Sequence, residues 1–224
     1  RDLHKEYRRQ RQMCIRDRPP LVVVAALALG QAGLAQNQLL EVLKDENARG
    51  AEFWIYNDLA AARAEARRTN KPLFVTFRCV PCAACNGFDA EVAKNNQRII
   101  QLAQEKFVAV RQVEMKGVNL SQFQFDYDLN WAAMFLNADG TVYARYGTQS
   151  AEGPDAYNSI VSLEKTMRRV LALHNGYPAN KAALAGKLGK PKPYKTALEM
   201  PGMKHRTKLA LSLIHISEPT RRTP

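Results

Sequence analysis

The passage "LFVTFRCVPCAAC", Leu73 to Cys85, constrains the fold more tightly than any other. A five-residue run, apolar but for one threonine, leads directly into three cysteines. A short run without polar alternation suits a strand covered on both faces, and such strands belong to mostly parallel sheets packed between helices. The flanking sequence agrees. Asn57 to Thr69, "NDLAAARAEARRT", reads as an alanine-rich helix capped by Asn57 or Asp58 and ended by Lys71-Pro72. After the cysteines, "GFDAEVAKN" and "NQRIIQLAQEKF" carry helical spacing, and Phe107 to Met115, "FVAVRQVEM", reads as the next strand. Apolar runs flank Asn137-Ala138-Asp139-Gly140, where Asp139-Gly140 supplies the turn of a hairpin. Pro154 to His174 is expected to form a long helix with Tyr157, Ile160, Val161, Leu163, Met167, Val170 and Leu171 near one face, stopped by Asn175-Gly176.

Both ends read as something other than protein. Met13 to Asp17 back-translates to ATGTGTATAAGAGAC, and with two more bases its reverse complement encodes Leu-Ser-Leu-Ile-His followed by Ile or Met, matching Leu211 to Ile216. One inverted repeat of the kind carried by transposon-based sequencing adapters explains both stretches. Residues 1–18 and 211–224 are therefore expected to be adapter-derived artefact, outside any fold argument, and the remainder to be a fragment of a longer protein. Setting these ends aside lowers Lys and Arg from 33 to 24 and Asp and Glu from 21 to 17, so the net charge of +12 becomes about +7. A nucleic-acid partner loses its main support, because much of the excess charge is terminal arginine. Cys14 is set aside too, which leaves Cys79, Cys82 and Cys85 as the cysteines of the segment.

Residues 19–35 open with the apolar run Leu21 to Leu29 and end on Gly33-Leu34-Ala35, a small-x-small pattern before Gln36. The run is too short to span a bilayer, which takes about 18 apolar residues. It reads as a secretory signal peptide, so the membrane is met only through export and the protein is expected in the periplasm or another extracytoplasmic space. There a thiol pair can persist as a disulfide.

The order helix, strand, cysteines, helix, strand, hairpin, helix, together with "KPLFVTFRCVPCAAC" and "FLNADGTVYARYG", resembles the thioredoxin-like family. The likeness is greatest to exported bacterial domains of that family that carry an extra N-terminal helix. It implies an α/β fold over 36–175, with a central mixed sheet flanked by helices, and thiol–disulfide exchange with protein or small-molecule thiols and disulfides. Cys79-Val80-Pro81-Cys82 stands where the family has its CxxC. At a strand end and helix start, unpaired N–H groups and the helix dipole favour thiolate, and Arg78 adds a neighbouring cation. Cys79 is thus the expected nucleophile and Cys82 the resolving thiol, with Pro81 tolerated early in the helix. The sequence departs from the family at two places. Trp131, with Ala132 and Ala133, occupies the region where a cis-proline usually faces the CxxC, and Leu73 to Phe77 lacks the family's buried acid.

Cys85 leaves an alternative open. Three sulfurs from Cys79, Cys82 and Cys85 could bind a soft metal such as Cu(I) or Zn, or an iron–sulfur cluster, in a binding module without turnover. His174 and His205 have no ligand spacing to them, and Ala83 stands where a haem attachment motif needs histidine. No cofactor is expected for the exchange reading. Residues 176–210, rich in lysine, glycine and proline, read as a basic linker or tail leading to a module beyond the fragment.

Overall fold

The structure, a computed structural model, describes residues 45–78, 80, 86–125, 131–147, 156–191 and 193–201. The expected signal peptide, the extra N-terminal helix before residue 45 and both adapter-like ends lie outside the described residues, as do Cys79, Pro81, Cys82 and Cys85.

The elements follow the order β1 (Ile55–Tyr56), α1 (Leu59–Thr69), β2 (Leu73–Arg78), α2 (Asn86–Ala90), a π-helical turn (Glu91–Asn95), α3 (Gln97–Lys106), β3 (Val108–Gln112), β4 (Trp131–Leu136), β5 (Val142–Tyr146), α4 (Ile160–Asn175) and α5 (Lys181–Leu184). They build one mixed five-stranded sheet in the order β1-β3-β2-β4-β5. The first three strands in that order are parallel, and β4 runs antiparallel to both β2 and β5.

Strand β2 is central and buried along its whole length, as its apolar sequence requires. Its side chains alternate between two cores. Leu73, Val75 and Phe77 join Val108, Val110, Ala132, Met134 and Leu136 against Ala62 and Ala66 of α1. Phe74 joins Ala109, Ala133 and Phe135 on the other face, against Ile99 and Ala103 of α3 and Leu163, Met167 and Val170 of α4. A one-residue slip of β2 would exchange the two sets, so the register is fixed by packing on both sides. Phe74 and Phe135, opposed across the β2–β4 ladder, stack at 5.0 Å.

Local chemistry sets the boundaries. Asp58 caps α1, its carboxylate accepting from the Ala61 N–H at 2.8 Å, and Asn70 ends it in the left-handed region at φ 50°. Asn57, also left-handed at φ 55°, aims its side-chain oxygen at the Val113 and Glu114 N–H groups and so ties the exit of β1 to that of β3. The hairpin turns as its sequence requires: the Gly140 N–H donates to the Asn137 carbonyl at 2.9 Å with Gly140 at φ 95°.

Two expectations need correction. The long helix begins at Ile160 behind the Ser159 cap, so Tyr157 precedes it and is 60 % exposed, and Val161 is 61 % exposed; neither lies on the core face. The part of the supposed linker that is described, between 176 and 201, packs on the domain. Leu184 and Ala197 are buried, Met200 joins the α1-side core, and the Leu120 N–H donates to the Lys195 carbonyl at 2.8 Å. Lysine-rich composition concealed these spaced apolar anchors.

Candidate functional site

Strands β1, β2 and β3 are parallel, so their carboxyl ends lie together, and this is the end of an open α/β sheet where ligand and reaction sites usually form. The cysteine passage leaves the sheet there. Its last residue on the strand is Arg78; Val80 alone is described within the passage, and a helix begins at Asn86. Of the sequence-predicted site residues, Arg78 and Trp131 are described, and the structure brings them together as direct partners across the β2–β4 ladder. The three cysteines and Pro81 lie outside the described residues.

Between these strand ends and α2 sits a buried ionic cluster. Asp89 of α2 accepts from Arg111 Nη1 at 2.9 Å and Nη2 at 2.7 Å, from Asn47 Nδ2 at 2.6 Å, from the Trp131 indole N–H at 3.0 Å, and from Arg78 Nη1. Asp45 accepts from Arg111 Nε at 2.6 Å and Nη2 at 2.9 Å, and from the Tyr56 hydroxyl at 3.2 Å. The side chains of Arg111, Asp45 and Asp89 are 0 % exposed and that of Arg78 is 3 % exposed. Two guanidiniums face two carboxylates, which leaves the cluster without net charge.

Burial alone would push the Asp89 carboxyl up. The Arg111 and Arg78 guanidiniums and their hydrogen bonds outweigh it, so Asp89 is held below the usual carboxylate range. The Tyr56 hydroxyl moves the other way, raised by burial and then by the adjacent Asp45. Arg111, for which burial alone would favour the neutral form, is instead raised by its two carboxylates.

These contacts change the reading of Arg78. Arg78, the neighbouring cation expected beside Cys79, is buried, and Asp89 offsets its charge. Its other terminal nitrogen donates to the Val80 carbonyl at 3.4 Å and to Asn86 Oδ1 at 3.1 Å, while Nε is buried with no partner among the described residues. Asn47 also donates to Asn86 Oδ1, at 3.0 Å. Arg78 therefore holds Val80, within the cysteine passage, and Asn86, directly after it.

Trp131, expected near the CxxC, is the first residue of β4 and is 1 % exposed. Its ring lies nearly perpendicular to those of Phe88, at 4.9 Å between centroids, and Tyr146, at 6.1 Å. Gly147 makes this arrangement possible: it sits at φ 109°, and a Cβ there would lie 2.7 Å from the Trp131 carbonyl oxygen. A cavity of about 530 Å³ opens at the opposite end of the β2–β4 ladder, beside the hairpin, and is lined by Gln122, Asp139, Thr141, Lys181, Leu184 and Leu188.

Sequence reasoning missed Asp45, Asn47, Asp89 and Arg111. One signal was present. An arginine inside "FVAVRQV", on a strand covered on both faces, must find a buried carboxylate, although the sequence does not say which.

Residues 54–138 match the family model described as thioredoxin-like. No curated protein matches the chain.

Proposed function

We propose, from the membership of residues 54–138 in the thioredoxin-like family, that this domain carries out thiol–disulfide exchange outside the cytoplasm through the cysteines of 79–85. The observation that carries this reading is the place of those cysteines in the chain, between Arg78 at the carboxyl end of a central parallel strand and the helix that begins at Asn86. The attacking thiolate, assigned to Cys79, displaces one sulfur of a substrate disulfide as a thiolate and forms a mixed disulfide. Cys82 then attacks the Cys79 sulfur, releases the second substrate thiol and leaves a Cys79–Cys82 disulfide. Two electrons have passed to the substrate, and a partner dithiol must return them to the protein.

A second assignment, Cys82 attacking and Cys85 resolving, is favoured by the state of Arg78. That residue was the cation that singled out Cys79, and Asp89 compensates it, while Cys85 directly precedes the described helix at Asn86. The binding alternative, a soft metal on Cys79, Cys82 and Cys85, remains the competing use of the same sulfurs.

Three single Cys→Ser proteins, assayed for insulin reduction and for Cu(I) and Zn affinity, separate these readings. Exchange through Cys79 and Cys82 requires that both be essential and Cys85 dispensable. Loss of activity at Cys82 and Cys85, with Cys79→Ser active, assigns the second pair. If no protein reduces insulin and each change lowers metal affinity alike, exchange is wrong and the binding module stands.

A further inference from the structure

A buried ionic network is a poor way to gain stability, because desolvating four charged groups costs about as much as their attraction returns. What distinguishes this one is its position. It draws residues from five places in the chain to one point. Asp45 and Asn47 come from the segment before β1, Arg78 from the last position of β2, Arg111 from β3, Trp131 from the first position of β4, and Asp89 from α2. Both described flanks of the cysteine passage are among its members or are held by them. Arg78 precedes Cys79 and binds the Val80 carbonyl; Asn86 follows Cys85 and accepts from Arg78 and Asn47.

We infer that Asp89 is a positioning residue for the cysteine passage: it anchors Arg78 as a staple between Val80 and Asn86 and at the same time cancels that arginine's charge. The inference rests on the proposed exchange chemistry but not on which two cysteines perform it. A staple built from an uncompensated arginine would hold the passage equally well and would also stabilise any thiolate near it. With Asp89 in place the geometric and electrostatic effects of Arg78 are separated. Val80 and Asn86 are tied to one side chain, and that side chain brings no uncompensated charge with it.

This separation gives a signature that structural support alone would not. Replacing Asp89 with Asn leaves Arg78 and Arg111 facing Asp45 alone, so net positive charge appears at the base of the passage. The reduced dithiol, which carries thiolate, is then favoured over the disulfide. Equilibration of the protein with glutathione, at a pH where the more acidic thiol is ionised, should shift towards the dithiol by about tenfold, the effect of one pKa unit on one thiol. Amide exchange from Val80 to Gly87 should quicken by about tenfold as charge-assisted hydrogen bonds are lost. Asp89→Glu, which keeps the charge, should recover most of the glutathione equilibrium.

Asn86→Ala removes one acceptor of Arg78 without changing the charge balance. It should speed amide exchange across the passage and leave the glutathione equilibrium within about twofold of wild type. An Asp89→Asn protein with wild-type equilibrium and wild-type amide protection overturns the inference. If Asp89→Asn does not fold, unchanged amide protection in Asn86→Ala overturns it instead. The exchange reading fails separately, when the wild-type protein forms no glutathione-dependent disulfide, and amide exchange still decides whether the staple exists.

Discussion

Two carboxylates, Asp89 and Asp139, mark opposite ends of the β2–β4 ladder, and each meets a cation and an aromatic donor. Asp89 lies under the Arg78–Trp131 end with Arg78 and Arg111; Asp139 sits in the hairpin next to the Leu73–Leu136 end with Lys181 and the Tyr177 hydroxyl. Their burial differs completely. The Asp89 side chain is 0 % exposed, whereas those of Asp139 and Lys181 are 37 % and 59 % exposed. Water can replace a lost partner at the hairpin and cannot do so in the cluster. An acid–base pair is therefore expected to matter greatly at one end and little at the other.

The largest effect should come from Asp89→Asn. Two buried guanidiniums would share one carboxylate, and breaking a buried pair in this way costs about 3–5 kcal/mol. Denaturant unfolding should show a correspondingly lower midpoint, and a loss below about 1 kcal/mol would mean that water reaches the cluster. Acid titration sharpens the same point. The folded carboxyl of Asp89 lies below its ordinary value of about 3.9, so its stabilisation is complete above that pH and is lost as pH falls towards the folded value. Wild-type protein should lose stability below about pH 4 more steeply than Asp89→Asn, which lacks this term.

Trp131→Phe should follow in size. The ring contacts with Phe88 and Tyr146 are largely kept, but the indole donor to Asp89 is removed, and a hydrogen bond to a charged group is worth about 1.5–3 kcal/mol. The same protein tests the electronic link to the site. Tryptophan emission of the wild type should change on Asp89→Asn, and this response should be absent in Trp131→Phe, with Trp54 as the unchanging background. Emission that is insensitive to Asp89 would break the proposed geometry of the cluster.

How much of this was legible depends on the range over which each feature is encoded. The runs Leu73–Phe77 and Phe107–Met115, the Asp58 cap and the Asp139-Gly140 turn are written in neighbouring residues, and the structure has β2, β3, α1 and the hairpin where they place them. The cluster is not local. Arg111 is separated from Asp45 by 66 positions and from Asp89 by 22, and no periodicity joins such residues. The sequence shows an arginine that needs a partner, while only the fold supplies Asp45 and Asp89. The missing acid of β2 illustrates the same limit: Leu73 to Phe77 contains none, yet the strand ends beside a carboxylate delivered by a helix beyond the cysteines. The segment after residue 176 failed for a different reason, because three anchors, Leu184, Ala197 and Met200, are diluted among lysines, glycines and prolines that speak for a linker.

The smallest effect should come from Lys181→Ala, and it completes the comparison. Without Lys181 the Asp139 carboxylate still accepts from the Thr141 N–H at 3.0 Å, from Asn137 Nδ2 at 3.1 Å and from the Tyr177 hydroxyl, and it still faces solvent. No buried charge is left uncompensated. What is lost is an exposed ion pair at 2.8 Å, whose attraction is screened by salt and offset by the entropy of holding a lysine in place. The denaturation midpoint of Lys181→Ala should lie slightly below that of wild type in dilute buffer and merge with it in about 1 M salt, where the Debye length is about 3 Å. Asp89→Asn should keep its deficit at both salt concentrations, because ions do not enter the cluster. A salt-insensitive loss at Lys181, or a salt-erased loss at Asp89, would remove burial as the reason the two ends differ.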